Sequence, residues 1–398
     1  VGGVGAGGCR ETALGALVNM SMAKDSRHAM YLTPGLEKAL MDVLDRSLPG
    51  SGSLNLGVKV FRNLSDQGGG DNRAQMYKAG LAGKLVCVIK NEQRLNAQGD
   101  IVNAALNTLS NLASHNASRP SMLASGGVAC VLVDLVSTAE PNSRLLRAAL
   151  VTLTNLSCHK ENRVAMMHMG LADLLVTLTL TATPDSKHLE AALIMLVNMS
   201  SMQACRVTMV QGGAGEAAVA VIRACQGGVG HSKNHQIALQ IVQNLSASAG
   251  TGEILIAQGG LGVALSSASN TDPKVSAVAA GVLSNLALNG RLNGGNVCAI
   301  LVAHGALSAL APLLSRPERT GLSAAKAAAY LFGIHTPNAT AEAIVSLEHP
   351  LLAACGGALQ RLCEALTHTM DGRELYGVTF DVYELVLAIR LICYRPDN

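Results

Sequence analysis

Three kinds of residue in this sequence have types and spacings that point to chemistry. Gly3, Gly5 and Gly8 spell G-x-G-x-x-G, the spacing with which a strand-to-helix turn cradles a pyrophosphate. That fingerprint needs a strand before it and an acidic residue about 20 positions on within a βαβ unit, and neither is present. Residues 1–10 therefore read as a flexible glycine-rich leader. His159, His168 and His188, with the ten cysteines, have side chains that ligate metals or, for thiols, form disulfides. The cysteines stand singly, no Cys-x-x-Cys occurs, and the histidines do not gather with carboxylates at ligand spacing. The reading is of reduced thiols, with no metal site and no cofactor. Walker A, HExxH and GxSxG patterns are also missing, so no residue is assigned a catalytic role and the chain is not read as an enzyme.

The third kind is asparagine, whose side-chain amide both donates and accepts hydrogen bonds. The segments ALVNMS, VFRNLS, TLSNLA, TLTNLS, MLVNMS, IVQNLS and VLSNLA place Asn19, Asn63, Asn111, Asn155, Asn198, Asn244 and Asn285 at intervals of 41 to 48 residues. Asparagine is a poor helix former, so its return at one mid-helix position needs a reason beyond helix formation. The surrounding apolar positions, such as Leu150, Leu153 and Leu156 around Asn155, share one stripe at 100° per residue, and the asparagine falls roughly 150° from that stripe's centre. Several of these sites are also Asn-x-Ser/Thr sequons, which read as by-products of the helical motif rather than as glycosylation sites.

The elements that must position these amides follow from the punctuation. Eight residues after the asparagine come Arg27, Arg119, Arg163 and Arg206, then a short apolar helix closed by Gly35, Gly80, Gly126, Gly170, Gly212, Gly259 or Gly305. A second apolar helix follows, as in GLADLLVTLTL, then a polar loop such as TAEPNSR and the long helix that carries the asparagine. Three helices per unit, at this period, make a repeat array.

These units resemble armadillo repeats of the catenin and importin-alpha type. The resemblance covers about seven repeats and a degenerate eighth, AKAAAYLFGIH, in which Gly333 stands where the asparagine is expected. It implies an all-α fold, a right-handed α-solenoid over residues 11–343, with capping helices over residues 344–398 in the manner of terminal repeats. In the family, the matching asparagines bond the main chain of an extended bound segment, and the resemblance carries that role to these positions; the alternative is that each asparagine bonds a neighbouring helix terminus within the solenoid and touches no ligand.

Residues four and seven before each asparagine share its face. The expected protein-binding groove therefore comprises Lys59 and Asn63, Asn107 and Asn111, Val151 and Asn155, Ile194 and Asn198, Gln240 and Asn244, and Asn285, a neutral and partly apolar surface. With no Trp in the chain, the paired Trp of nuclear-import receptors is missing, and Lys59 alone represents the basic lining of catenin-like members. The expected occupant is an extended or helical segment of neutral or apolar character. Aromatic residues make up 2% of the chain and no basic block occurs, which argues against nucleic acid. No apolar run is long enough to span a membrane. Charged residues are only 14%, against about 25% in typical domains. That deficit points to a subunit buried in a larger intracellular assembly, cytoplasmic and, by the family's habits, cytoskeletal or ciliary. The alternative is a regulator or chaperone that grips a folded client such as a small GTPase or myosin.

Overall fold

A computed structural model describes residues 4–66, 72–95, 99–124, 127–225, 232–293, 296–316, 318–331, 362–373 and 381–393. Among these residues there are helices and turns and no strand. Each repeat ends on a long helix: α1 (Val4–Met22), α2 (Gly52–Ser65), α3 (Asp100–Ala113), α4 (Arg144–Ser157), α5 (Leu189–Ser200), α6 (Ser232–Ser246), α7 (Pro273–Asn293) and α8 (Glu318–Leu331). Before each from α2 to α8 stands a second helix, for example Leu81–Arg94 and Val128–Thr138, and before that a short first helix such as Arg119–Ala124 or Lys160–His168.

Local chemistry starts and stops these helices where the sequence indicates. Ser51 and Ser143 sit in extended backbone before α2 and α4, and their hydroxyls accept from the amides of Leu54 and Leu146. Gly35, Gly80, Gly170, Gly259 and Gly305 adopt the left-handed backbone that joins the first helix to the second. In the repeat that ends on α6 the left-handed residue is Gly213 at φ 85°, one later than expected. There Gly212 follows the last helical residue, Gln211, at a negative φ of −79°, and its N–H bonds Thr208 O. In the repeat that ends on α4 the left-handed residue is Gly127, while Gly126 lies outside the described residues.

The core is the apolar stripe read from the sequence. Leu150, Leu153 and Leu156 of α4 are fully buried, as are Leu106, Leu109 and Leu112 of α3. Each such leucine contributes about 1.5–3 kcal/mol from burial. The chain forms two compact units, one of residues 1–174 with 186–199 and the other of residues 175–185 with 200–398. In a repeat array each unit touches only its neighbours, so cohesion is local. In the first unit α1 packs on α2, α2 on α3, and α3 on α4. In the second α6 packs on α7, and α7 on α8.

The two ends depart from expectation in detail. Helix α1 begins at Val4, so the helix runs back through Gly5 and Gly8 where the sequence reading has a leader. Glycine costs a helix only about 1 kcal/mol per residue relative to alanine, and a helix already formed downstream propagates through such positions. At the other end residues 362–370 are helical, and α9 (Val382–Cys393) packs against α8. The Tyr330 hydroxyl donates to Glu384 O at 3.0 Å, and the Lys326 ammonium pairs with the Glu384 carboxylate. Gly333, the boundary at residues 343 and 344, and the whole segment from Leu351 to Gln360 lie outside the described residues.

Candidate protein-binding site

Each repeated asparagine from Asn63 onward is bonded into the long helix of the preceding repeat. In the first unit, Asn63 Nδ2 donates to Ser21 Oγ at 3.0 Å, Asn111 Nδ2 to Ser65 Oγ at 3.0 Å and Asn198 Nδ2 to Ser157 Oγ at 2.8 Å. In the second, Asn244 Nδ2 reaches Ser200 Oγ at 3.1 Å and Asn285 Nδ2 reaches Ser246 Oγ at 3.2 Å. Every one of these serines stands two residues after the preceding repeat's asparagine. The hydroxyls of Ser21, Ser65, Ser157 and Ser246 in turn donate to the carbonyl three residues back in their own helix. The Asn-x-Ser spacing is therefore an amide-to-hydroxyl-to-carbonyl relay between successive helices, which is why a poor helix former returns at this place.

This bonding draws the asparagines toward the helix seam. Asn63 is buried and Asn111, Asn155, Asn198, Asn244 and Asn285 are half-buried, rather than standing clear on the side opposite the core. Only Asn19, on α1, is exposed, and it has no hydrogen-bond partner among the described residues. The carbonyl oxygens Oδ1 of Asn111, Asn155 and Asn285 carry no bond among the described residues and are not sealed from solvent. Asn63 differs, since its Oδ1 accepts from the Arg62 guanidinium at 3.1 Å.

Arginine fixes where each long helix stops. Arg27, Arg119, Arg163 and Arg206 each aim Nε at the carbonyl two positions after their repeat's asparagine, at 2.9, 2.8, 2.7 and 2.9 Å. The guanidinium thus caps the carbonyls that a helix end leaves unpaired, with charge that suits the helix dipole. Arg73 does the same for Ser65 O at 2.8 Å. Its greater distance along the chain, ten residues after Asn63 rather than eight, hides it from a search at fixed spacing. After α6, in the repeat that follows Arg206, Thr251 takes over, donating to Leu245 O at 2.7 Å.

The remaining expected groove residues lie on the same helices. Lys59, Asn107, Ile194 and Gln240 are half-buried, and Val151 is 39% exposed. In the second unit Gln240 Nε2 donates to Gln243 Oε1 at 2.8 Å. A Cβ on Gly281 would fall 1.9 Å from Gln243 Nε2, so this glycine leaves room for the glutamine pair.

In the first unit the asparagine-bearing face opens into a cleft of about 470 Å³, lined by Asn103, Asn107, Asn142, Ser143, Arg144, Arg147, Ala148, Val151 and Lys187. Its lining holds three cations and no carboxylate, so the expectation of a neutral face does not extend here. Arg144 stands eleven residues before Asn155, a spacing that returns to the same helix face and that a reading stopped at seven residues misses. Asn142 adopts a left-handed backbone at φ 62°, which asparagine tolerates, and its Oδ1 accepts from Lys187 N at 3.1 Å. That bond ties the two loops flanking the cleft.

The chemistry-bearing side chains singled out first are dispersed. His159 pairs with Glu161 at 2.7 Å, His188 Nδ1 lies 3.2 Å from Asn142 Oδ1, and His168 is exposed. Among the described residues no three His, Cys, Asp or Glu side chains come together at metal-binding range, and eight cysteines are free thiols. No single helix there is long and apolar enough to cross a membrane, although three bent pairs of first and second helices have the length and composition.

No family model matches this sequence, and no curated protein sequence matches it. Solved structures do match. An engineered protein from the Northeast Structural Genomics Consortium aligns with a TM-score of 0.71 at 21% identity, covering 96% of this chain and 94% of that one. A designed armadillo repeat protein aligns with a TM-score of 0.54 at 21% identity over 63% of this chain and 99% of its own. A second, in complex with the peptide (KR)4, aligns with a TM-score of 0.54 at 17% identity over the same shares. At these identities the likeness speaks for the fold.

Proposed function

From the armadillo-repeat fold, we propose that this chain is a non-enzymatic scaffold that binds another protein by holding an extended segment along its asparagine-bearing helices. The observation that carries the reading is the division of labour within each amide. The Nδ2 group of Asn111, Asn155 and Asn285 is spent on the preceding helix, which fixes the plane of the amide. Their Oδ1 atoms have no protein partner among the described residues and reach solvent. Within the first unit, Asn111 and Asn155 on neighbouring helices give fixed acceptors that suit the N–H groups of an extended backbone, which lose water on binding and need replacement acceptors. Packed helices lie about 8–10 Å apart and an extended chain rises about 3.3 Å per residue, so one amide serves roughly every two to three ligand residues. The designed neighbour that holds (KR)4 supports peptide binding as a use of this fold.

The wider expectation of a subunit in a large intracellular assembly belongs to the same proposal, supported by the low share of charged residues. The test is to capture partners on the immobilised chain, identify the bound segment, and measure its affinity for Val151→Glu against a control change, Asp134→Ala, on a second helix. Val151→Glu places a bulky charge on the face while the core is untouched, and it weakens binding roughly tenfold or more, a loss of about 1.4 kcal/mol. Unchanged affinity with a native melting temperature would put the partner on another surface and overturn the reading.

A further inference from the structure

We infer that the cleft beside Val151 selects a polypeptide segment bearing oxyanions, as adjacent Asp or Glu side chains or as a phosphorylated residue. This deepens the proposed scaffold function and rests on it. The cleft of about 470 Å³ is bordered by Arg144, Arg147 and Lys187 with no acidic side chain in its lining. None of the three side chains has an ion-pair partner among the described residues, and all three residues are exposed. In a chain with 14% charged residues and a net charge of only +3, three unpaired cations around one opening are a local concentration of positive potential. Arginine forks match carboxylate and phosphate oxygens with two parallel bonds, and the lysine adds a point charge.

The size and the rest of the lining decide the class of ligand. A lone phosphate fills little of a space this large and leaves Asn107 and Val151 unused. A peptide uses all of it: amides from Asn107 for its main chain, Val151 for an apolar side chain, and the cations for its acidic groups. Single-stranded nucleic acid is held by cations interleaved with aromatic platforms, and no aromatic residue lines the cleft. The preference is opposite in sign to that of the designed neighbour solved with (KR)4.

The experiment is fluorescence anisotropy on the full chain with four labelled probes: a peptide of alternating Glu and Asp, a phosphoserine peptide, (KR)4 and oligouridine. The chain is compared with the double variant Arg144→Glu and Arg147→Glu, whose melting temperature is recorded alongside because both residues are exposed. An acidic or phosphorylated probe binds the native chain, loses roughly tenfold or more in the variant, and weakens as salt rises from about 50 to about 200 mM. Carboxylate and phosphate sources are separated by which of the two peptides binds more tightly. Equal or tighter binding of (KR)4, or an acidic probe insensitive to the double variant, overturns the inference. Oligouridine that outcompetes both peptides overturns it in favour of nucleic acid. If Val151→Glu abolishes capture of the natural partner while no acidic probe binds, the scaffold reading stands and this inference alone fails. Arginine-dependent acidic binding with partner capture unaffected by Val151→Glu leaves the anion site standing and removes the scaffold reading.

Discussion

Asn155 Nδ2 lies 3.1 Å from both the carbonyl oxygen and the hydroxyl of Ser110, one residue before its neighbour's asparagine, whereas the other repeated asparagines reach the serine two residues after. The cause is a single substitution of the pattern. Position 113, where the relay serine is expected, is Ala113, and Ser110 supplies the hydroxyl from one turn earlier on α3.

That exchange predicts a rescue. Ser110→Ala removes the hydroxyl that Asn155 uses and costs about 0.5–1.5 kcal/mol by urea unfolding. Ala113→Ser in the same background restores the usual partner and recovers most of the loss. The equivalent serines at 21, 65, 157, 200 and 246 are all fully buried without strain, so the added oxygen has precedent. A double variant no more stable than Ser110→Ala would show that the relay is not transferable between positions.

The asparagines also make the binding test sharper than the sequence allows. Placed opposite the apolar stripe, they read as replaceable at no cost in folding. In the structure each Nδ2 joins two helices, so Asn111→Ala leaves Ser65 without its donor and lowers the melting temperature, by roughly 1 °C per kcal/mol in a chain this long. Affinity changes in asparagine variants are therefore read only after correction for stability, and Val151→Glu is the cleaner probe.

Arginine capping predicts a larger stability effect than any single amide. Arg163 donates to Ser157 O at 2.7 Å and Cys158 O at 3.3 Å, and Arg163→Met keeps the aliphatic stem while removing both donors. Hydrogen bonds from a charged group contribute about 1.5–3 kcal/mol, and the loss appears as a lower unfolding midpoint in urea with an unchanged slope. Arg163→Lys recovers part of it, since a single ammonium cannot fork between two carbonyls. A midpoint unmoved by Arg163→Met would show that water caps this helix equally well.

Most of the fold is legible in the residues because its signals are local and repeated: the apolar stripe, the glycine that turns the chain, and the arginine after the asparagine. Gly213 and Arg73 escape by one or two residues because loop length varies while the geometric role stays put. The relay serine stands in five of the seven repeated segments, but its partner lies 39 to 46 residues away, and helix periodicity on one segment does not show which hydroxyl a neighbouring helix will meet. The cationic cleft is hidden for the same reason, as Lys187 sits in a loop that meets the Arg144 segment through a bond to Asn142, 45 residues away.

Glycine substitutions separate backbone strain from packing. Gly35 and Gly259 both have left-handed backbones, at φ 83° and 92°, but a Cβ on Gly35 meets nothing within 4 Å whereas one on Gly259 falls 2.8 Å from the Arg223 guanidinium and 3.2 Å from Val219 Cγ1. Gly35→Ala costs about 1–2 kcal/mol from handedness alone. Gly259→Ala costs more, because Arg223 and Val219 must also move. Equal losses would mean that both side chains yield freely.

The last prediction concerns Cys298, which is buried beside the turn between α7 and the following first helix, with its thiol 3.3 Å from Ala287 O. Burial pushes this thiol up to about 11 from its usual 9.0, against a smaller opposing pull from Arg291. In the folded chain at pH 8 it stays protonated and shielded, so a thiol reagent labels exposed Cys87, Cys130 and Cys158 first and reaches Cys298 only on unfolding. The same shift sets a pH dependence. Because the folded pKa is the higher one, the unfolded chain releases its proton first, and the stabilisation is fully present below pH 9.0 and declines as pH rises towards about 11. Cys298→Ala removes this term while leaving the rest of the titration in place. The difference in urea midpoint between the native chain and the variant should therefore shift in the variant's favour between those pH values. A difference that stays constant across the window would show that Cys298 ionises no later in the fold than in the unfolded chain.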